Sequence, residues 1–347
     1  FSTFTHEFAH ILFFNNDMYH QFKRADGSTI PKDQVMKAGQ QFAGEKRDLI
    51  VLPELVAFAR QYFNDPNLAG LPLENGGGSG SAGAHWEKTF MPAEFLNPSV
   101  EYPAFISEFT LRFMKETGWY SNVDLDYAVH YNWGKGQASY MSNTCPTTIE
   151  YCTNPGDKGC SPDFMSKTTC SGFEAFMGNC KYKKNNGRYC TRNKADENSP
   201  DAFETYGASS RCFMWGGTPR CNTATCDANK VVTITIPGNK TAVCDSPGKV
   251  VTVEGQTVNC PINLDTFCSY LGDACADDCT GNGICMKNKK CFCITGYSGD
   301  KCEVQTMPDQ NASVPIPKPD EGGKGGHGSL IGLLWTLFGT VLVAYFI

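Results

Sequence analysis

The chain has 347 residues, enough for two or three domains with one sizeable core, and a formal charge of −6. Its 30 Lys and Arg are outnumbered by 36 Asp and Glu, and no basic block or basic-aromatic stripe occurs, which argues against nucleic acid as a partner. All 18 cysteines lie between Cys145 and Cys302; an even number confined to one half argues for disulfides formed in an oxidising compartment, and irregular spacings without a repeated CxxC argue against zinc knuckles.

The chain starts at Phe1 with no signal peptide, so it reads as a fragment or processed form. Almost at once comes "THEFAHILFF", with His6 and His10 four residues apart. On a helix that spacing stacks both imidazoles on one face, where they can converge on one ion. Glu7 lies about 100° further around, placed to miss the ion but to reach a water beside it. Neutral imidazole ligands, an open coordination position and a nearby base are what a zinc hydrolase needs. The alternative is a surface helix with scattered His and Glu, although Phe8, Ala9, Ile11 and Leu12 favour a helix with one polar face.

Next, "RDLIVLPELVAFARQYFN" carries apolar residues at helical spacing around Leu55, Phe58, Ala59 and Phe63. The glycines of "AGLPLENGGGSGSAGAHWEKTF" mark a loop. "SEFTLRFMKETGWY" reads as a helix with Ser107 as N-cap and Gly118 as its stop. Residues 145 to 268 are short segments between twelve cysteines, where "KVVTITIPG" and "KVVTVEG" alternate as strands do. From Cys275 to Cys302, six cysteines with glycines at the turns describe a small domain stapled by disulfides; spacing alone leaves fifteen connectivities open. A Pro-, Gly- and Lys-containing linker follows. The chain then closes on the uncharged run Ser329 to Ile347, barely long enough to span a bilayer and with no basic residue after it. That suits a cleaved GPI signal, with a membrane-spanning tail helix as the alternative. Asn239 and Asn311 stand in N-glycosylation sequons and fit secretion.

A catalytic zinc usually has three protein ligands, so a third must come from elsewhere. Asn16 occupies the position of the compact metzincin pattern, which excludes that short form. His20 would need an unusual turn to reach the ion, Glu45 and Glu54 would make a two-His, one-Glu site, and His130 and His327 have no supporting context. His85 follows "GGGSGSAGA", a run whose backbone can turn sharply and approach a cleft; a flexible linker that happens to end in His is the competing reading.

Taken together, "THEFAH", "PLENGGGSGSAGAHWEKTF", "FTLRFMKETGWY" and "WGKGQ" resemble leishmanolysin, the surface zinc protease family of trypanosomatids that is also abundant in ciliates. The resemblance covers roughly residues 1 to 240 and is strongest from Leu71 to Trp133. It implies an α+β fold, with a metzincin-type catalytic part made of an active-site helix and an irregular helical subdomain, followed by a disulfide-rich, strand-containing domain. It also implies one Zn2+ on His6, His10 and His85, the last being the third histidine in its Gly-Ser-Ala-Gly-x-His-Trp context, and Glu7 as general base. The implied activity is that of a cell-surface metalloendopeptidase acting on proteins or peptides. The C-x-C-x-x-G-Y ending at Cys291, Cys293, Gly296 and Tyr297 resembles an EGF-like repeat of the tenascin type, which implies the pairs Cys275–Cys285, Cys279–Cys291 and Cys293–Cys302. The organisation that follows is a catalytic region over 1–144, a cysteine-rich domain over 145–270, an EGF-like repeat over 271–304, a linker over 305–328 and a membrane-anchoring segment over 329–347.

Two positions depart from the family pattern. Phe13 replaces the glycine at which the active-site helix normally turns, and left-handed geometry is costly for a bulky residue. The helix is therefore expected to run on to Asn15 and Asn16, which tolerate that conformation. Leu96 takes the place of the methionine beneath the metal, a swap that conserves volume and typically costs under about 1.5 kcal/mol; Met91 is nearby but out of register. The family's propeptide and the N-terminal half of its catalytic domain would precede Phe1, so this piece is expected to bind zinc weakly and cleave poorly. The rival reading, from a different class, is a non-catalytic surface adhesion protein on a degenerate protease fold.

Overall fold

The structure, a computed structural model, describes residues 2–78, 80–99, 105–191, 203–272, 275, 279–280, 282–293 and 296–306. Asn311, His327 and the apolar run 329–347 lie outside the described residues. Among the described residues, no helix is long and apolar enough to cross a membrane.

The chain begins with α1 (Ser2–Leu12), followed by a 3-10 turn at Asn16–Gln21 and the single-turn helix α2 (Lys32–Val35). Next come β1 (Met36–Phe42) and β2 (Glu45–Ile50), paired antiparallel around Ala43-Gly44, and then α3 (Pro53–Phe63). Only the second part of "RDLIVLPELVAFARQYFN" is therefore helical. Leu49 and Ile50 belong to β2, and α3 starts with Pro53 in its first turn, where a missing N–H is harmless. Strand β3 (Leu71–Pro72) adds to β2 and delivers the chain to the glycine-rich loop.

Helix α4 (Glu108–Glu116) is capped by Ser107, whose side chain accepts from the Thr110 N–H. It is followed by Gly118 at φ +70°, where an added Cβ would lie 2.1 Å from the Lys23 carbonyl oxygen. No other residue fits there.

One core unites these elements and extends from Ala9 to Tyr182. It is rich in aromatic rings: Phe113 alone meets the rings of Phe13, Phe14, Tyr19, Phe22 and Trp86. Phe109 packs on Phe58, Tyr62 and Phe63.

Beyond it, β4 (Lys158–Cys160), β5 (Ser166–Cys170) and β6 (Lys183–Tyr189) form a three-stranded antiparallel sheet. A six-stranded sheet then uses β7 (Ser210–Trp215), β8 (Thr218–Cys226), β9 (Val232–Ile236), β10 (Lys240–Cys244), β11 (Val250–Val253) and β12 (Gln256–Asn259), in the order β10-β9-β8-β7-β12-β11. An ion pair between Lys240 and Glu254 ties its two edges together. Val232, Ile234 and Ile236, alternate residues of β9, point into a second, smaller core against Phe213, Trp215 and Phe267, the last from α5 (Leu264–Gly272).

Disulfides join Cys145–Cys180, Cys152–Cys170, Cys160–Cys212, Cys190–Cys221, Cys226–Cys268 and Cys244–Cys260. The last stretch, with β13 (Gly283–Cys285), β14 (Cys291–Cys293), β15 (Tyr297–Ser298) and β16 (Val304–Gln305), is held by Cys275–Cys285, Cys279–Cys291 and Cys293–Cys302. This small module is seated on the first core. Met286 bridges Val129, the Lys287 and Asn288 N–H groups donate to the carbonyls of Ala128 and Asp126, and the Lys287 ammonium pairs with Glu108 in the first turn of α4.

Candidate metal centre

Helix α1 places His6 and His10 on one face, as a separation of one turn requires. His6 is buried, His10 half-buried and Glu7 exposed. Past Leu12 the chain leaves the helix axis. The N–H groups of Phe13 and Phe14 both donate to the Ala9 carbonyl, and the Phe14 carbonyl accepts from His10 Nδ1 at 2.8 Å.

The expected continuation of the helix to Asn15 and Asn16 is not what forms. Asn15 is extended at φ −144° and caps the 3-10 turn, and neither Phe13 nor Asn16 is among the residues with positive φ. Aromatic burial supplies the reason: Phe13 packs at a tilt on Phe113, and Phe14 meets Trp86 edge-on and Phe113 at a tilt, which pulls the chain inward directly after Leu12.

His85 reaches the same place from the glycine-rich loop. The Glu74 N–H donates to the His85 carbonyl, and the Glu74 carbonyl accepts from Gly83 N, so the loop closes on itself. The Tyr19 hydroxyl donates to the Gly83 carbonyl and pins it from the side. His85 Nδ1 then donates to the Ser81 carbonyl at 3.0 Å.

The three Nε2 atoms converge, with His6–His85 at 3.2 Å, His6–His10 at 3.1 Å and His10–His85 at 3.1 Å. Each Nδ1 is engaged with a main-chain carbonyl, that of Phe95 for His6 (2.8 Å), Phe14 for His10 and Ser81 for His85. A neutral imidazole that donates from Nδ1 has only a lone pair at Nε2. Three lone pairs facing one another are arranged to share a cation. Zinc–nitrogen bonds of 2.0–2.1 Å at tetrahedral angles put ligand nitrogens about 3.3 Å apart, close to the spacing found, so the donor set fits zinc.

Electrostatics agree with neutral rings at His6 and His85. Burial lowers the pKa of His6, opposed by its bond to Phe95, with a further lowering by His10 and a raising by Glu7. Burial takes His85 down to about 4, opposed by its bond to Ser81, with the other two rings lowering it further.

Leu96 is fully buried, and its carbonyl accepts from the N–H of Trp86, next to His85. The other candidates stay away. His20 is exposed, Glu45 pairs with Arg47, Glu54 pairs with Lys115, and His130 is half-buried outside the cluster. The three accepting carbonyls escape sequence reading altogether, because a main-chain oxygen leaves no residue signature.

The profile of the leishmanolysin family, peptidase M8, matches residues 1–171. A leishmanolysin-like peptidase of Drosophila pseudoobscura pseudoobscura is 26% identical over 309 residues, covering 62% of this chain and 44% of the relative. A leishmanolysin homologue of Crithidia fasciculata is 23% identical over 331 residues, 78% of this chain and 48% of the relative. The ciliated left-right organizer metallopeptidase of Xenopus laevis is 31% identical over 155 residues, 42% of this chain and 20% of the relative. The part of the chain that holds the histidine cluster is thus the part that resembles these metallopeptidases. That part is leishmanolysin-like, and the chain spans less than half the length of each of these relatives.

Proposed function

We propose that this chain carries the metal site of a zinc-dependent metalloendopeptidase, with one ion held by His6, His10 and His85 and with Glu7 as general base. The observation that carries the reading is the meeting of three Nε2 lone pairs whose rings are each oriented by a carbonyl. Zinc, when bound, supplies Lewis acidity and lowers the pKa of a water it holds to about 7. The chain's residues do the rest. The imidazoles bind and orient the ion, and the Glu7 carboxylate takes a proton from the attacking water and returns it to the leaving amine. Its exposed position on the solvent side of α1 leaves it open to both water and a peptide.

In the same reading, residues 1–144 are the catalytic region, 145–270 a cysteine-rich domain and 271–304 an EGF-like repeat. A linker over 305–328 leads to a segment, 329–347, that anchors the protein at the cell surface as a GPI signal or a spanning helix. Asn239, at an exposed hairpin turn, and Asn311 carry glycans, and the partners are proteins or peptides. Met beneath the ion is replaced by Leu96.

The test uses the full-length protein: metal content and casein cleavage for wild type, Glu7→Ala and His85→Ala. One zinc per chain, cleavage lost in both variants and zinc retained only in Glu7→Ala is the expected pattern. Zinc without cleavage in the wild type would turn the reading to an adhesion protein on a degenerate protease fold; no zinc would remove the metal site.

A further inference from the structure

The carbonyl that orients His6 belongs to Phe95, in an irregular segment without helix or strand to fix it. What does fix it is the residue before. Glu94 is 1% exposed, and its carboxylate is the acceptor for four donors. Oε2 accepts from the Leu96 N–H at 2.5 Å; Oε1 accepts from the Ser107 N–H (3.2 Å), the Ser107 hydroxyl (2.7 Å) and the Thr110 hydroxyl (2.5 Å). The carboxylate thus clasps the Phe95 peptide from one side, while on the other the Phe95 N–H donates to the Phe105 carbonyl at 2.8 Å. A second arm leads to His85. The Leu96 carbonyl accepts from the Trp86 N–H at 2.9 Å, and Thr110 Oγ1 accepts from the Trp86 indole at 2.9 Å.

We propose that Glu94 is the positioning residue of the histidine cluster: by holding the Phe95–Leu96 peptide against the start of α4, it sets the tautomer and orientation of His6, steadies Trp86 beside His85, and so governs affinity for the ion. The claim about affinity rests on the zinc reading above; the claim about the His6 tautomer does not. A carboxylate is required because a main-chain N–H is aimed at each oxygen, that of Leu96 at Oε2 and that of Ser107 at Oε1. Glutamine would turn an N–H2 group toward either the Leu96 N–H or the Ser107 and Thr110 cluster, and a donor would face a donor. A residue that only stabilised α4 would leave the ring of His6 as it is.

The experiment compares wild type, Glu94→Gln and Phe109→Leu in the full-length protein, at a temperature where circular dichroism shows each folded. Zinc affinity is read by chelator competition, and the His6 tautomer by ring nitrogen shifts in the metal-free protein. Glu94→Gln is expected to weaken zinc by about 10- to 100-fold, as loss of an outer partner of a ligating histidine does, and to abolish the preference for the Nδ1–H form of His6. Phe109→Leu, which loosens α4 but leaves the carboxylate in place, should change neither. If Glu94→Gln does not fold, Glu94→Asp reads the same two quantities. Should the wild type take up no zinc, the metal reading fails and the tautomer alone decides: its loss in the variant upholds the positioning role. Wild-type tautomer and, where zinc binds, wild-type affinity in the Glu94 variants overturn the proposal.

Discussion

Two halves of this molecule reach stability by different means. The first core is built from rings: Phe13, Phe14, Phe63, Trp86, Phe90, Phe109 and Phe113 are all within 3% of complete burial, and no cysteine precedes Cys145. The second half has a smaller apolar cluster and a terminal module whose buried centre consists of Cys275, Cys279 and Cys302. A chain segment that cannot bury enough apolar area folds by cross-linking instead. The histidine cluster sits wholly in the ring-packed half, so its geometry depends chiefly on van der Waals packing and main-chain hydrogen bonds, although Cys145–Cys180 also packs in that core.

Full reduction should expose that division most strongly. Loss of a single native disulfide in a small domain costs about 2–5 kcal/mol, and the second half would lose all of its own at once. Hydrogen exchange after reduction is expected to show β7–β12 and the terminal module unprotected, with α3 and α4 still protected; uniform loss would erase the contrast. Phe113→Ala attacks the other side, removing a ring from the middle of five others, for about 3–5 kcal/mol by denaturant titration. Glu87→Ala would remove the buried one of Arg47's two carboxylate partners and leave it the half-exposed Glu45, costing up to about 3–5 kcal/mol, and its effect should be confined to the first half. Added zinc at a hundred times its dissociation constant should stabilise the first half by about 2.7 kcal/mol and leave the unfolding of the second unchanged in calorimetry. Smallest is Lys287→Ala at the seam, under about 1 kcal/mol because the Lys287–Glu108 pair is partly exposed, seen as faster exchange of the Lys287 and Asn288 amides.

Much of this was legible where periodicity or capping chemistry is strong. The i, i+4 spacing of His6 and His10, the Ser107 cap of α4 and the alternation of Val232, Ile234 and Ile236 each translate directly into geometry. Other parts carry no such signal. Strand β1 is exposed at its five central residues, so "MKAGQQF" shows no alternation, and nothing in the sequence marks the β1–β2 hairpin. The end of α1 depended on partners far along the chain, Trp86 and Phe113, and local preference at Phe13 misjudged it. His85 could be marked only as following a flexible run until the family resemblance singled it out. Glu94 has one readable hint, a carboxylate alone in "MPAEFLN", but its four donors come from Leu96, Ser107 and Thr110, a grouping no window of sequence shows.

The seat of the terminal module has a consequence for biosynthesis. Met286, Lys287 and Asn288 close against Asp126, Ala128 and Val129 across more than 150 positions of chain. During vectorial synthesis the helical half can collapse early, yet this flank stays bare until the ribosome has released nearly everything described, and oxidation must first have shaped the module that covers it. Folding of the described residues therefore ends with a docking step that waits on disulfide formation, and a chain whose thiols mispair would be left with the approach to α4 uncovered.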